Sequence, residues 1–206
     1  MGSHVWYDLP LEEIVPYIDW TPFFQTWELY GRFPKILNDE IVGLEAQKLY
    51  DDAQKVLSKV IEENIIQVDV VYGFWQAFSD QNDDIHLINE KGEVIAKSHT
   101  LRQQTSKSAK AKNMALSDFI RPKSDEATDY LGAFVVSAGK NVADIAKQYE
   151  EDLDDYSSIM IKAIADRIAE AATEYLHEKV RKEFWGYASN ESFNNCLLYT
   201  SDAADE

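Results

Sequence analysis

The stretch DDYSSIMIKAIADRIAEAATEYLHEKVRKEF (154–184) decides the fold class of this 206-residue chain. Apolar side chains recur in it at intervals of three and four residues, which brings them to one face of an α-helix. Asp154 or Asp155 can cap its N-terminus. We therefore predict a long amphipathic helix that ends near Phe184. Its apolar stripe consists of Tyr156, Met160, Ala163, Ile164, Ile168, Ala171, Ala172, Tyr175, Leu176 and Val180.

Other segments favour helices on both sides of a group of strands. The apolar pattern over 44–64 predicts an amphipathic helix, and Asn141 can cap another over 142–151. Residues 11–37 combine aromatic residues with three prolines, which predicts short helical turns rather than one long helix.

Four β-branched and aromatic runs predict strands in the middle of the chain: 67–79, 84–88, 93–97 and 130–137. The second and third runs are separated by a Lys91-Gly92 turn, so they form a hairpin. Because the strands cluster between helices, the layers are segregated and the fold class is α+β.

Charge excludes two classes of partner. Lys and Arg number 20 against 37 Asp and Glu, and the net charge of −17 opposes phosphate backbones and anionic lipid. No apolar run approaches the roughly 20 residues that cross a bilayer. We therefore expect neither a nucleic acid nor a membrane partner.

The cysteine count and the first residues bear on the compartment. Cys196 is the single cysteine, so no internal disulfide or multi-cysteine zinc site can form, which favours a reducing, cytoplasmic location. Residues 1–4 resemble an expression-tag remnant rather than a signal peptide.

Common catalytic motifs are absent from the sequence. It contains no glycine-rich phosphate loop, no GxSxG and no HExxH, and its histidines have no ligand-spaced neighbours, so no metal site is predicted. Asp154 and Asp155 beside Tyr156 could suggest acid catalysis, but helix capping explains them more simply. No catalytic residue is predicted.

Several longer blocks occur in a fixed order along the chain and resemble the activation domain, or AdoMet-binding domain, of cobalamin-dependent methionine synthase. The resemblance runs from about Leu11 to Asn190. The blocks that precede the long helix are YIDWTPFFQTWEL (17–29), FPKIL (33–37), VGLEAQKLY (42–50), TLRQQT (100–105), LSDFIRPK (116–123) and DYLGAFVVSAG (129–139).

This resemblance implies a central, mostly antiparallel twisted sheet flanked by helices, with a long C-terminal helix. It also implies a module that binds S-adenosylmethionine and docks on the cobalamin-binding domain of the parent methyltransferase. There it supports reductive methylation of cob(II)alamin, with an electron from flavodoxin or a flavoprotein reductase. Cobalamin itself is carried by another domain of that enzyme.

Two carboxylates match the family's ligand site. Asp19, directly before Trp20, matches an aspartate that contacts AdoMet, and Glu170 matches a glutamate on the long helix. A sulfonium and an α-ammonium group need carboxylates or backbone carbonyls as partners. The alternatives are an N-cap for a turn that begins at Thr21 and an ordinary glutamate on the polar face of the helix.

The sequence departs from the family after Tyr187. The family's Arg-Pro-Ala-Pro-Gly-Tyr-Pro segment, which holds the AdoMet carboxylate and adenosine, does not occur here. We therefore expect AdoMet binding to be weak or lost. Residues 196–206 match nothing in the family. The predicted division is a tag-like remnant over 1–4, a partial activation domain over 5–195 and a non-native tail over 196–206.

Two further functions remain open. The chain could be a protein-docking scaffold without useful AdoMet binding, or an inert folded fragment, and it is not expected to be catalytic alone. Two basic patches could receive an acidic flavodoxin; the alternative is a solvated loop and a helix C-terminus that favours cations. The patches are Lys107, Lys110, Lys112 and Lys179, Arg181, Lys182.

Overall fold

The computed structural model describes residues 1–107, 112–124 and 127–191. The chain divides into two compact units. One, here called the sheet unit, comprises Met1–Val5 and Val71–Val135. The other, the helical unit, comprises Trp6–Val70 and Val136–Glu206.

The strands form one five-stranded sheet in the order β1-β2-β3-β4, with β5 also paired to β2. They are β1 (Gly2–Trp6), β2 (Asp69–Ser79), β3 (Asp84–Ile88), β4 (Val94–His99) and β5 (Asp129–Ser137). The β2/β3 and β3/β4 pairs are antiparallel, as the α+β prediction required.

Strand β1 is not predicted by the sequence pattern, which assigned residues 1–4 to a tag-like remnant. The segment GSHVW lacks the apolar alternation of a half-buried strand, and its middle residues are exposed. Backbone pairing with β2, rather than burial of side chains, therefore recruits it into the sheet.

The predicted hairpin turn is confirmed. The Asn89 side chain accepts hydrogen bonds from the backbone N–H groups of Lys91 (2.9 Å) and Glu93 (3.0 Å). Gly92 has a φ of 79°, a left-handed conformation that a residue with Cβ adopts at a cost. The pair of residues at 91–92 thus reverses the chain between β3 and β4.

An ion network centred on Arg102 ties two of the family blocks together within the sheet unit. The Arg102 guanidinium donates to the Asp118 carboxylate at 2.7 Å and to the Asp83 carboxylate at 2.5 Å. The bond from Arg102, with a further backbone bond from Ala115, lowers the pKa of Asp118 to about 2. The blocks 100–105 and 116–123 are therefore linked by charge-assisted bonds.

The helical unit is built around the long helix. Its helices are α1 (Leu11–Ile14), α2 (Thr21–Thr26), α3 (Gly43–Glu62), α4 (Val142–Glu151) and α5 (Asp155–Lys179). Helix α5 packs against all four of the others and against the 3₁₀ turn Val15–Tyr17. Most of the predicted stripe is buried, from Met160 to Leu176. Tyr156 differs: it is 45% exposed, because it lies in the first turn of α5 at the wall of a surface cavity.

The ends of α4 and α5 follow the capping predictions in part. Asp154 accepts a hydrogen bond from the backbone N–H of Ser157 at 3.0 Å, which confirms capping as its role. Asn141 occupies the N-cap position of α4 but makes no side-chain capping bond. The α-helical geometry of α5 ends at Lys179, and Val180–Phe184 continues as a π-helical turn.

The short helical turns predicted over 11–37 are confirmed, and their aromatic side chains form a packed cluster. Phe23 and Phe24 are fully buried. The Trp20 ring contacts the Tyr50 ring of α3 edge-on at a centroid distance of 5.1 Å. This cluster fixes the segment that carries Asp19 against α3.

Candidate functional site

Asp19 lies between the 3₁₀ turn Val15–Tyr17 and helix α2, with its side chain exposed. Its Oδ1 atom accepts a hydrogen bond from the backbone N–H of Thr21 at 2.8 Å. The bond closes the turn that begins α2, which agrees with the capping alternative, although the N-cap residue itself is Trp20. Because the carboxylate is exposed, this local role leaves it accessible to a ligand.

Glu170 lies in the middle of α5 and is held by a neighbour one turn away. The Arg167 Nη1 atom contacts Glu170 Oε2, and Arg167 Nη2 donates to Asp166 at 2.5 Å. Burial alone would lower the pKa of Arg167, but the two carboxylates outweigh it and the pKa is raised. Glu170 is thus an ion-paired residue with a side chain that remains 43% exposed.

The fold brings the segments that carry these two carboxylates into contact. The turn Val15–Tyr17 and helix α2 flank Asp19, and both pack on α5, the helix that carries Glu170. Tyr17 adds a polar contact between them, because its hydroxyl donates to Glu178 Oε2 of α5 at 2.6 Å. Asp19 and Glu170 therefore belong to packed elements of one unit.

A cleft of about 380 Å³ opens beside these elements. The Tyr17 and Tyr175 rings meet edge-on in it at 5.6 Å, and the Tyr175 hydroxyl donates to Glu13. The Lys179 ammonium lies 5.5 Å from the centre of the Tyr175 ring. The lining residues are Glu13, Pro16, Tyr17, Tyr175, Glu178, Lys179, Lys182 and Glu183.

In the cleft, the pKa values of the two tyrosines are raised and that of Glu178 is lowered, so each moves further from pH 7. Burial, together with hydrogen bonds to Glu178 and Glu13, raises the pKa of Tyr17 and of Tyr175. Burial would raise the pKa of Glu178, but bonds from Lys182 and Tyr17 outweigh it and the pKa is lowered. At pH 7 these groups are fixed donors and acceptors, which suits binding better than proton transfer.

The sequence pattern did not single out these tyrosine–glutamate pairs. Tyr17 stood within a quoted block and Tyr175 within the apolar stripe, but the partners Glu178 and Glu13 are separated from them by about 160 positions. Only the packing of α1 and the following turn on α5 brings them together.

The second predicted basic patch is not a free cationic surface. Arg181 is buried, and its Nε donates to Glu191 at 2.8 Å. Lys182 pairs with Glu178 across one helical turn, and Lys179 pairs with Glu183 in the same way. The first patch lies partly outside the described residues, since Lys110 is one of those not described.

Over the part of the chain that the structure describes, neither a cluster of metal-ligating side chains nor a membrane-spanning helix occurs. No group of three or more His, Cys, Asp or Glu side chains there could hold a metal ion. No described helix combines the length and the apolar character needed to span a bilayer.

The segregated helices and the antiparallel sheet, with one long helix against which the other helices pack, define an α+β domain. The family model "Vitamin B12 dependent methionine synthase, activation domain" matches residues 10–202, and the chain belongs to this family. The match extends into the predicted non-native tail, 196–206, which lies outside the described residues.

A solved structure shares this fold. It is the "Crystal Structure of the MetH Reactivation Domain bound to AdoHcy", which superimposes with a TM-score of 0.91 at 44% sequence identity. The alignment covers 98% of this chain and 62% of that one, so this chain spans less than two thirds of its relative's length.

Proposed function

We propose that this chain is the S-adenosylmethionine-binding reactivation module of a cobalamin-dependent methionine synthase, with Asp19 and Glu170 as ligand carboxylates. The packing of the Asp19 segment on the helix that carries Glu170 is the observation that carries the proposal. The family and the AdoHcy described in the related structure support it.

The residues present fit a cationic ligand. S-adenosylmethionine supplies a methyl group on a sulfonium and also carries an α-ammonium, and both cationic groups favour carboxylate partners. Asp19 has an exposed carboxylate with no charged partner among the described residues, whereas Glu170 shares its charge with Arg167. We therefore assign Asp19 the larger share of charge-dependent binding and Glu170 a share reduced by its ion pair.

Calorimetric titration of AdoMet into the chain and into Asp19→Asn tests this assignment. Asparagine keeps the oxygen that accepts the Thr21 N–H and removes only the charge. Asp39→Asn is the matched control, because Asp39 is also exposed and accepts the Ile41 N–H, two residues on, at 2.9 Å.

We expect Asp19→Asn to weaken AdoMet binding about 10-fold to 100-fold, the usual range for a charged hydrogen bond. Asp39→Asn should remain within about twofold of the parent. Equal affinity of all three chains would remove Asp19 from the site. No saturable heat from a folded chain would favour the docking scaffold or the inert fragment.

The partners follow from the same proposal. A reactivation module must contact the domain that carries cobalamin, and the electron must come from flavodoxin or a flavoprotein reductase. A cytoplasmic location is part of this proposal. Co-elution of the chain with an isolated cobalamin-binding domain, retained in Asp19→Asn, would separate docking from AdoMet binding.

A further inference from the structure

A second cavity in the helical unit, of about 430 Å³, lies between α3 and the first turn of α5. It opens to solvent and has no part in the proposed AdoMet site. Its lining combines aromatic and aliphatic side chains with a few charged groups, the usual composition of a small-molecule site. The lining residues are Trp27, Leu29, Glu45, Lys48, Leu49, Asp52 and Tyr156.

Two aromatic rings form one wall of this cavity. The Trp27 and Tyr156 rings lie 5.0 Å apart at an interplanar angle of 52°. Neither polar edge is open to a ligand in solvent: the Tyr156 hydroxyl donates to Asp52 at 3.2 Å, and Trp27 Nε1 is buried without a hydrogen-bond partner among the described residues. A ligand would therefore contact the π-faces of the rings, and such faces attract cations.

The floor of the cavity is apolar. Leu29 is 7% exposed and Leu49 is 6% exposed, so both are core side chains that also line the cavity. Methyl or methylene groups of a ligand are removed from water when they pack against these leucines. An N–H group finds no hydrogen-bond acceptor on the leucine side chains. Alkyl substituents on a bound cation therefore fit this site better than N–H groups.

The charged groups at the rim favour a cation. Glu45 is exposed in the first turn of α3 and makes no ion pair among the described residues. Asp52 is held by Lys55 at 2.9 Å, which lowers the pKa of its carboxyl group and keeps it ionised. Lys48 also lines the cavity, and because Asp52 is already paired with Lys55, Glu45 is the carboxylate without an ion pair among the described lining residues.

We propose that this cavity binds a small alkylated ammonium ion, with Trp27 and Tyr156 against its alkyl groups and Glu45 as the principal counter-charge. The net charge of −17 adds a general attraction for cations. The site is separate from the proposed function and stands if that function fails.

Choline chloride is the probe, titrated calorimetrically into the whole chain at constant ionic strength. The neutral isostere 3,3-dimethyl-1-butanol has the same shape without the charge and serves as the ligand control. We expect choline to bind with a dissociation constant in the millimolar range, and the neutral alcohol to bind about 3-fold to 30-fold more weakly.

Variants test the wall and the rim separately. Tyr156→Phe keeps the ring and should bind like the parent, whereas Tyr156→Leu removes the ring and should weaken binding by about 3-fold to 30-fold. Glu45→Gln should weaken choline binding and leave the neutral alcohol unaffected. Glu62→Gln, which changes an exposed glutamate at the other end of α3, is the matched control.

Three results would overturn the proposal: no saturable choline binding, equal binding of choline and the neutral alcohol, or equal effects of Glu45→Gln and Glu62→Gln. The two glutamine variants alter only exposed side chains, so they remain informative if Tyr156→Leu fails to fold. Unchanged thermal melting of each variant establishes that it is folded.

Discussion

Truncation of Leu176 to alanine tests whether α5 is the central element of the helical unit. Leu176 is fully buried, on the same helix as the cleft residue Tyr175 and the proposed ligand residue Glu170. Leu44→Ala makes the same chemical change at a position that is 93% exposed, also in a long helix. The pair therefore separates burial from the change in helix propensity.

The magnitude follows from the burial. Removing three carbon atoms from a fully buried side chain forfeits about 2.4 kcal/mol of transfer free energy. The cavity that remains raises the loss to about 3 to 4 kcal/mol. Leu44→Ala removes side-chain atoms that are already in water, so its effect should stay within about 0.5 kcal/mol.

Urea unfolding followed by far-ultraviolet circular dichroism gives the free energy of unfolding for each chain. An unchanged m-value would show that the two variants unfold to equally exposed states. A loss below about 1 kcal/mol for Leu176→Ala, or equal losses for the two variants, would refute the central role of α5.

Further perturbations test the cleft, the carboxylates and the hairpin. Tyr175→Phe should cost about 0.5 to 1.5 kcal/mol in urea unfolding, because it removes the bond to Glu13, and should cost nothing in a Glu13→Ala background, which has no acceptor for the hydroxyl, if that bond is the cause. Bonds from His86 and Arg102 lower the pKa values of Asp80 and Asp118 from 3.8 to about 2, so their stabilising contribution is complete above pH 3.8 and is lost as the pH falls towards 2. Urea midpoints between pH 7 and pH 2 should follow this course, and a flat profile would contradict it. Gly92→Ala should destabilise the chain by about 1 kcal/mol because of its φ of 79°, although a Cβ there meets no neighbour within 4 Å; an unchanged urea midpoint would show that the strain is relieved.

The sequence predicts elements well where one periodicity persists. Helix α4 has the predicted limits of 142 and 151, and β3 has the predicted limits of 84 and 88. Strand β1 could not be predicted in this way, because its pairing with β2 depends on residues far along the chain.

The same distinction applies to side-chain contacts. The ion pairs of Glu178 with Lys182 and of Lys179 with Glu183 have a spacing of four residues, so they can be read from the sequence. That spacing already argues against a free basic patch. The bond of Tyr17 to Glu178 joins residues that are 161 positions apart, and no local pattern signals it.

The most direct test of the central claim is a crystal structure of this chain with AdoMet or AdoHcy bound. We predict the ligand on the helical unit, with a cationic group within hydrogen-bonding distance of the Asp19 carboxylate and Glu170 beside it. A ligand bound elsewhere, or one whose cationic groups face neither carboxylate, would contradict the assignment of this site.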